Sequence, residues 1–368
     1  MRRKRQMEEM MRFSRELLLA TTAALMASAG VALAEGPMPM NEGADIKGMC
    51  GDKPAIVALA DGYGGDTWRK IALAEFRDEA AKCANIEKVL YTDAGGDPQK
   101  ATSDLNSLVA QGANVIVVAP DFSQSLIPAM RAAMKEGVVV VPYNAKVNGE
   151  AGKDFSANVV QNVDFIAAEW AKWLSGNMKS GGLLYFSGPA GTAYSKNFNE
   201  RIKANLANFD GLTVLNDDYI VTNWNPADAQ KAASGAIATY PKIDAVAVDV
   251  GPVGASVVRS FQQAGLEVPF VVSMASNNEL NCMWADAKAE GKPFSYLTLD
   301  GTTYQTRIAL RRGLSLFEGT ENPDATEVAA FVYADSLGGK EPFCDKSAPL
   351  DADFSGGLEP DALKAIFK

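Results

Sequence analysis

The chain has 368 residues, 47% of them hydrophobic, with 35 Lys and Arg against 45 Asp and Glu and no histidine at all. Without histidine there is no imidazole general base, no histidine zinc site and no Ser-His-Asp triad. The acidic balance argues against nucleic acid or anionic lipid as a partner, because both need a basic surface.

The first element is a leader. Arg2, Arg3, Lys4, Arg5, Arg12 and Arg15 form a basic opening, residues 17–33 an apolar run rich in small side chains, and Ala32-Leu33-Ala34 a cleavage pattern. Such a segment is a secretory signal peptide cut after Ala34, which makes the mature protein periplasmic. The run approaches the length of a short membrane span, so an uncleaved anchor is the competing reading. Met11 would open a more ordinary leader than Met1. No later stretch reaches roughly 18 consecutive apolar residues, the length that would suggest a second span. Six basic and three acidic residues lie in the leader, so cleavage leaves 29 basic and 42 acidic side chains. The remaining chain, about 330 residues, exceeds one ordinary core and suggests two domains.

Short apolar runs then alternate with amphipathic stretches. Strands are expected at residues 55–60, 88–92, 114–119, 138–142, 182–186, 212–215, 245–249, 270–273 and 294–299. Val115-Ile116-Val117-Val118 and Val138 to Val141 are apolar without alternation. Both faces of such strands must be covered, as in the parallel sheets of α/β folds. Asp97-Pro98 opens one helix and Gly112 closes it, while Asn225-Pro226 opens another. Two successive βα blocks, over 55–142 and 182–273, read as two doubly wound domains, and the tail from Glu321 breaks the rhythm. Four cysteines, Cys50, Cys83, Cys282 and Cys344, contain no C-x-x-C spacing. An even count in an exported chain reads as two disulfides, with four buried thiols as the alternative.

Ligands of open parallel sheets sit beyond the carboxyl ends of the strands. After the first strand comes Asp61-Gly62-Tyr63-Gly64-Gly65-Asp66-Thr67-Trp68-Arg69, and after the fourth Tyr143-Asn144-Ala145. The second block contributes Gly188-Pro189-Ala190-Gly191-Thr192, Asn223-Trp224-Asn225, Asp249 and Ser276-Asn277-Asn278. Aromatic faces pack against the C–H face of a sugar ring, while amides and carboxylates pair with adjacent hydroxyls. The candidate ligand set is therefore Tyr63, Asp66, Trp68, Tyr143, Asn144, Trp224, Asn225, Asp249, Asn277 and Asn278. Asp66 and Asp97 compete as helix N-caps, and either tryptophan could instead be core. Phosphate loops fail on detail, since Ala193-Tyr194 stand where a P-loop needs Gly-Lys. No cofactor, metal or catalytic residue is called for.

In these segments, together with Thr92-Asp93-Ala94-Gly95-Gly96-Asp97-Pro98 and Val140-Val141-Pro142-Tyr143-Asn144, residues 53–320 resemble the type I periplasmic sugar-binding proteins of ABC transporters, the ribose-binding-like family. The resemblance implies an α/β fold of two doubly wound parallel-sheet domains joined by a three-crossing hinge. Crossings near 160, 298 and 327 would give an N-terminal lobe of 50–160 plus 299–326 and a C-terminal lobe of 161–298 plus 327–368. That placement puts Cys50 with Cys83 in one lobe and Cys282 with Cys344 in the other, so those pairs are expected, each contributing about 4 kcal/mol by chain entropy. By the same likeness Trp68 and Trp224 stack on ligand from opposite lobes. Ala145, Phe198 and Ala275 stand near positions where relatives carry Arg, Arg and Asp. The sugar or polyol therefore cannot be carried over.

The implied function is a monomeric, non-enzymatic solute receptor that hands a sugar or polyol to an inner-membrane permease driven by a separate ATPase subunit. A ligand-presenting co-receptor for a chemotaxis or two-component sensor is the alternative. A glycoside hydrolase using Asp61 and Asp66 is a remote third reading, and a cytoplasmic repressor of the same fold is excluded by the leader.

Overall fold

The computed structural model describes residues 37–367; the expected leader and its cleavage point lie outside them. The strands are β1 (Met38–Pro39), β2 (Ala55–Asp61), β3 (Ile86–Asp93), β4 (Val115–Val118), β5 (Val139–Asn144), β6 (Val159–Gln161), β7 (Gly181–Ser187), β8 (Leu212–Val214), β9 (Ile220–Val221), β10 (Ala245–Val248), β11 (Phe270–Met274), β12 (Tyr296–Asp300), β13 (Glu327–Ala329) and β14 (Phe331–Asp335). The helices are α1 (Thr67–Ala80), α2 (Pro98–Ala110), α3 (Ile127–Lys135), α4 (Val163–Asn177), α5 (Ala193–Leu206), α6 (Pro226–Thr239), α7 (Gly251–Gln263), α8 (Asn278–Ala289), α9 (Gln305–Glu318) and α10 (Pro360–Ala365).

The strands form two sheets. One runs β1-β13-β6-β5-β4-β2-β3, the other β14-β12-β11-β10-β7-β8 with β9 also on β7. The continuous apolar runs arise because each sheet is covered on both faces. Val57, Leu59, Val115 and Val117 pack with Phe76 of α1 and Ile308 of α9. Their alternates Ala58, Ala60, Ile116 and Val118 pack with Leu105 of α2 and Met130 of α3. The second sheet repeats this with Tyr185 and Ala247 toward Trp170 and Phe198, and Phe186 and Val248 toward Phe261 and Trp284. Asp97 and Asn225 cap α2 and α6 as expected, each side chain accepting two backbone N–H groups.

The chain passes between the sheets three times: after Gln161, after Asp300, and at Ala330 between β13 and β14. Two details correct the sequence reading. Residues 327–329, placed in the C-terminal lobe, pair with β6 in the first sheet. The second sheet is also not wholly parallel, since β14 runs antiparallel to β12. It arrives from β13 across a single residue, and a parallel neighbour would need a crossover connection. The short strands β1, β6, β9, β13 and β14 fall outside the expected set, although Val328 to Ala334, across β13 and β14, is a continuous apolar run.

Disulfides join Cys50 to Cys83, Cα atoms 5.3 Å apart, and Cys282 to Cys344, 4.8 Å apart. Both pairs are the expected ones, and neither crosses between sheets.

Candidate binding cleft

The carboxyl ends of the two sheets meet. Gln161 at the end of β6 lies against the sulfur of Met274 at the end of β11. Among the described residues four non-glycines have a left-handed backbone, Asn144 (φ 69°), Asn223 (φ 53°), Trp224 (φ 51°) and Ala275 (φ 53°), and all lie at or just after strand ends. Asparagine tolerates this region, but a Cβ-bearing Trp or Ala there costs about 1–2 kcal/mol. Strain of this kind persists where the surroundings impose it, most often at binding sites.

On the first-sheet face, Asp66 accepts the Arg69 N–H at 2.8 Å and starts α1. That cap places Trp68 and Arg69 in the first turn. Trp68 Nε1 donates to Thr302 Oγ1 at 2.8 Å, tying α1 to the chain just after β12. Arg69 is buried and forks between two carboxylates, Asp61 Oδ1 at 2.9 Å and Asp121 Oδ1 at 2.8 Å. Tyr91 donates to the other oxygen of Asp61, and the Gly62 N–H to the other oxygen of Asp121. A Cβ at Gly62 would come within 2.5 Å of Asp121, so the close approach requires glycine. Burial pushes the Asp61 carboxyl upward, and the Arg69 charge opposes that shift. Tyr143 is fully buried against this group, and burial raises its phenol well above the ordinary value. Asn144 Oδ1 stands 3.4 Å from Gln305 Nε2. Tyr63 is exposed and tilts onto Phe122.

On the second-sheet face, the Trp224 ring lies on Gly188, where a Cβ would approach it to 2.5 Å. Its Nε1 donates to Asp249 Oδ2 at 3.0 Å. Ser187 and Tyr185 hydroxyls donate to the same oxygen. The other oxygen, Asp249 Oδ1, is buried with no partner. Burial pushes this carboxyl up to about 6, against the pull of its three donors. Nearby, Asn277 caps α8 through Oδ1 while its Nδ2 is buried and unpartnered, as are Ser276 Oγ and Gln305 Oε1. Donors and acceptors of both kinds are therefore left open along one edge, the pattern that a polyhydroxylated ligand completes.

Three sequence candidates have other duties. Asn278 is a correction: its Nδ2 donates to the carbonyls of Asp345, Ala348 and Pro349 and its Oδ1 accepts from the Asp345 N–H, so its amide holds the tail. Asn225 spends its one side-chain acceptor on a helix cap, and Asp66 one of its two carboxylate oxygens. Conversely, Asp121, Tyr185, Ser187, Gln161 and Gln305 escaped the sequence reading, which also gave Arg69 no role. Applying the strand-end rule to β4 as well would have named Asp121. Among the described residues no group of three or more acidic or cysteine side chains could hold a metal.

Comparison with known proteins gives a consistent picture. A family model for a periplasmic binding protein domain matches residues 57–292. A xylitol-binding protein of Mycolicibacterium smegmatis is 26% identical over 193 residues, 52% of this chain and 54% of that protein. The chain thus spans about half the length of the curated relative it matches. Among solved structures, the fructose-binding periplasmic domain of a hybrid two-component system superposes with TM-score 0.64 at 16% identity, covering 77% of this chain and 91% of that one. The periplasmic binding component of an arabinose ABC transporter from Shewanella gives TM-score 0.63 at 15% identity over 76% and 92%. At such identities the structures show a shared fold.

Proposed function

The chain belongs to the periplasmic binding protein domain family, and from that premise we propose that it is an extracytoplasmic receptor for a sugar or polyol. The observation that carries this reading is Asp249: a buried carboxylate with three donors on one oxygen and none on the other, set beside Trp224 at the strand-end edge. A ligand hydroxyl completes it, and an indole face covers the C–H side of the same ring. Trp68, Asn144 and Asn277 face the ligand from neighbouring strand ends, with Arg69, held by Asp61 and Asp121, as a fixed floor. Tyr63 closes the rim.

In this reading the lobes are the two sheets with their helices, hinged at the three crossings. Ligand contacts both lobes only when they close, so its binding energy shifts the hinge population. Micromolar affinity, about −8 kcal/mol, suffices for scavenging. The closed form then docks, as a monomer, on an inner-membrane permease powered by a separate ATPase. The curated relative's name, a xylitol-binding protein, supports the polyol class. The co-receptor alternative has one likeness in its favour, the receptor domain of a two-component system.

The test is a thermal-shift screen over sugars, polyols, sugar acids, amino acids and nucleosides. A true ligand at a hundred times its dissociation constant adds about 2.7 kcal/mol of stability. A pentose, hexose or polyol should raise the melting point, and Trp224→Ala should abolish the rise. A shift given only by amino acids or nucleosides would overturn the reading.

A further inference from the structure

We infer that the protein carries a second binding site, away from the strand-end cleft, that takes a small organic ammonium ion with an apolar body. The tail after β14 builds it. This segment is fixed to α8 by the Cys282–Cys344 disulfide and by the Asn278 amide. It then crosses to α1, where the Gly357 N–H donates to Glu75 Oε1 at 2.6 Å and Thr67 Oγ1 to Asp351 at 3.3 Å. Between α1 and the tail lies a cavity of about 330 Å³, at the small end of the range for ligand pockets.

Its chemistry is specific. Ile71, Phe343, Phe354 and Leu363 supply apolar walls, and Glu75 and Asp353 supply acids. Phe343 and Phe354 meet edge to face at 5.1 Å, and Phe343 is 55% exposed at the mouth. Glu75 is satisfied, with Arg307 on one oxygen and Gly357 on the other. Asp353 is not. It is 5% exposed, its Oδ1 accepts the Ser355 N–H at 2.8 Å, and its Oδ2 has no partner.

A buried carboxyl oxygen left unpaired costs several kcal/mol, so a missing donor is implied. Among the described residues no Lys or Arg pairs with Asp353. Burial raises the Asp353 carboxyl well above the usual carboxylate range, and the like charge of the neighbouring Asp300 adds to that shift. A cationic donor would answer both the open oxygen and the like charge of Asp300, and would hold Asp353 ionised against burial. A hard metal ion needs six or more oxygen ligands, and this pocket offers one free carboxylate oxygen. A sugar would find mainly apolar walls, Leu358 and Pro360 among them, with Tyr333 and Asp353 as the polar side chains left to it. An ammonium group on Asp353 Oδ2, with its hydrocarbon against the phenylalanines, satisfies the oxygen and gains from the ring faces.

The test titrates phenethylammonium chloride into the full mature protein by calorimetry, with 2-phenylethanol as the neutral isostere and sodium chloride as the ionic control. The ammonium should bind at least about tenfold more tightly than the alcohol, a difference of about 1.4 kcal/mol. Asp353→Asn should lower its affinity about tenfold or more. Phe343→Ala, at an exposed position that leaves folding intact, should weaken it as well, and Trp224→Ala should not. No heat by about 10 mM ligand, equal binding of the alcohol, or affinity unchanged in both Asp353→Asn and Phe343→Ala would overturn the site. Loss of binding in Trp224→Ala would place the amine in the cleft instead, which also overturns it.

Discussion

The two faces of the cleft reach polar order by opposite routes. On the first-sheet face the charges are already paired: Arg69 lies between Asp61 and Asp121, and Tyr91 and Gly62 fill the oxygens left over. On the second-sheet face one carboxylate, Asp249, takes three donors on one oxygen and keeps the other open. Three of the four left-handed non-glycines, Asn223, Trp224 and Ala275, also belong to this second face. The first face is thus a finished floor whose removal should cost folding. The second is an unfinished, strained acceptor whose removal should cost binding.

The sharpest break of that division is Arg69→Met. It leaves Asp61 buried without its cation, and breaking a buried pair in this way costs about 3–5 kcal/mol. The urea midpoint should fall accordingly with the slope unchanged. A loss below about 1 kcal/mol would mean that the floor is not what holds this edge together.

Next in size is Asp249→Asn. The side chain keeps its volume but loses the charge that strengthens hydrogen bonds to ligand, so affinity should drop by about 2–3 kcal/mol, or 30- to 150-fold. Stability at pH 7 should hold or rise, because burial disfavours the ionised acid. If the variant bound sugar normally and unfolded early, the roles of the two faces would be exchanged.

The same group fixes a pH dependence. Its carboxyl rises from 3.8 unfolded to about 6 folded, so between those values the native state keeps a proton that the unfolded chain releases. The contribution of Asp249 to stability is therefore greatest below pH 4 and is lost as pH rises toward 6, about 3 kcal/mol in all. Ligand hydroxyls favour the carboxylate, so affinity should fall as pH drops below about 6, by up to tenfold per unit. Asp300, also pushed up to about 6 by burial, will leave a residual stability slope in Asp249→Asn. The affinity slope should vanish there, and its persistence would move the titration away from the second face.

Much of this was legible beforehand, and what was not has a common cause. The apolar runs of β4 and β10 and the Asx-Pro caps of α2 and α6 are local signals, and local physics decides them. Trp68, Asn144 and Trp224 are candidates by one rule, that strand ends line clefts, and their contact with ligand is what the proposed function adds. Arg69 was visible but mute, because its second partner Asp121 stands 52 residues away. Asn278 reads as a site residue until a tail 67 residues downstream claims its amide. β6 and β13 are three residues each, and their place in the sheet depends on partners distant in sequence, each other above all. The cysteine pairing likewise rested on a lobe assignment implied by resemblance, since spacing alone permits other pairings.

The smallest test compares the two tryptophans by removing only their N–H groups. Trp68→Phe gives up a hydrogen bond to the neutral hydroxyl of Thr302, and Trp224→Phe gives up one to the carboxylate of Asp249. A neutral bond contributes about 0.5–1.5 kcal/mol and a charged one about 1.5–3, while most of the stacking area survives in both variants. Trp224→Phe also unloads one of three donors from an oxygen already held by Ser187 and Tyr185, so its loss should sit near the bottom of the charged range. A calorimetric titration should therefore show Trp224→Phe weakening ligand binding a few-fold more than Trp68→Phe. Equal losses would mean that the indole N–H of Trp224 serves only to hold its own strained turn. The open acceptor of the second face would then owe its orientation to Ser187 and Tyr185 alone.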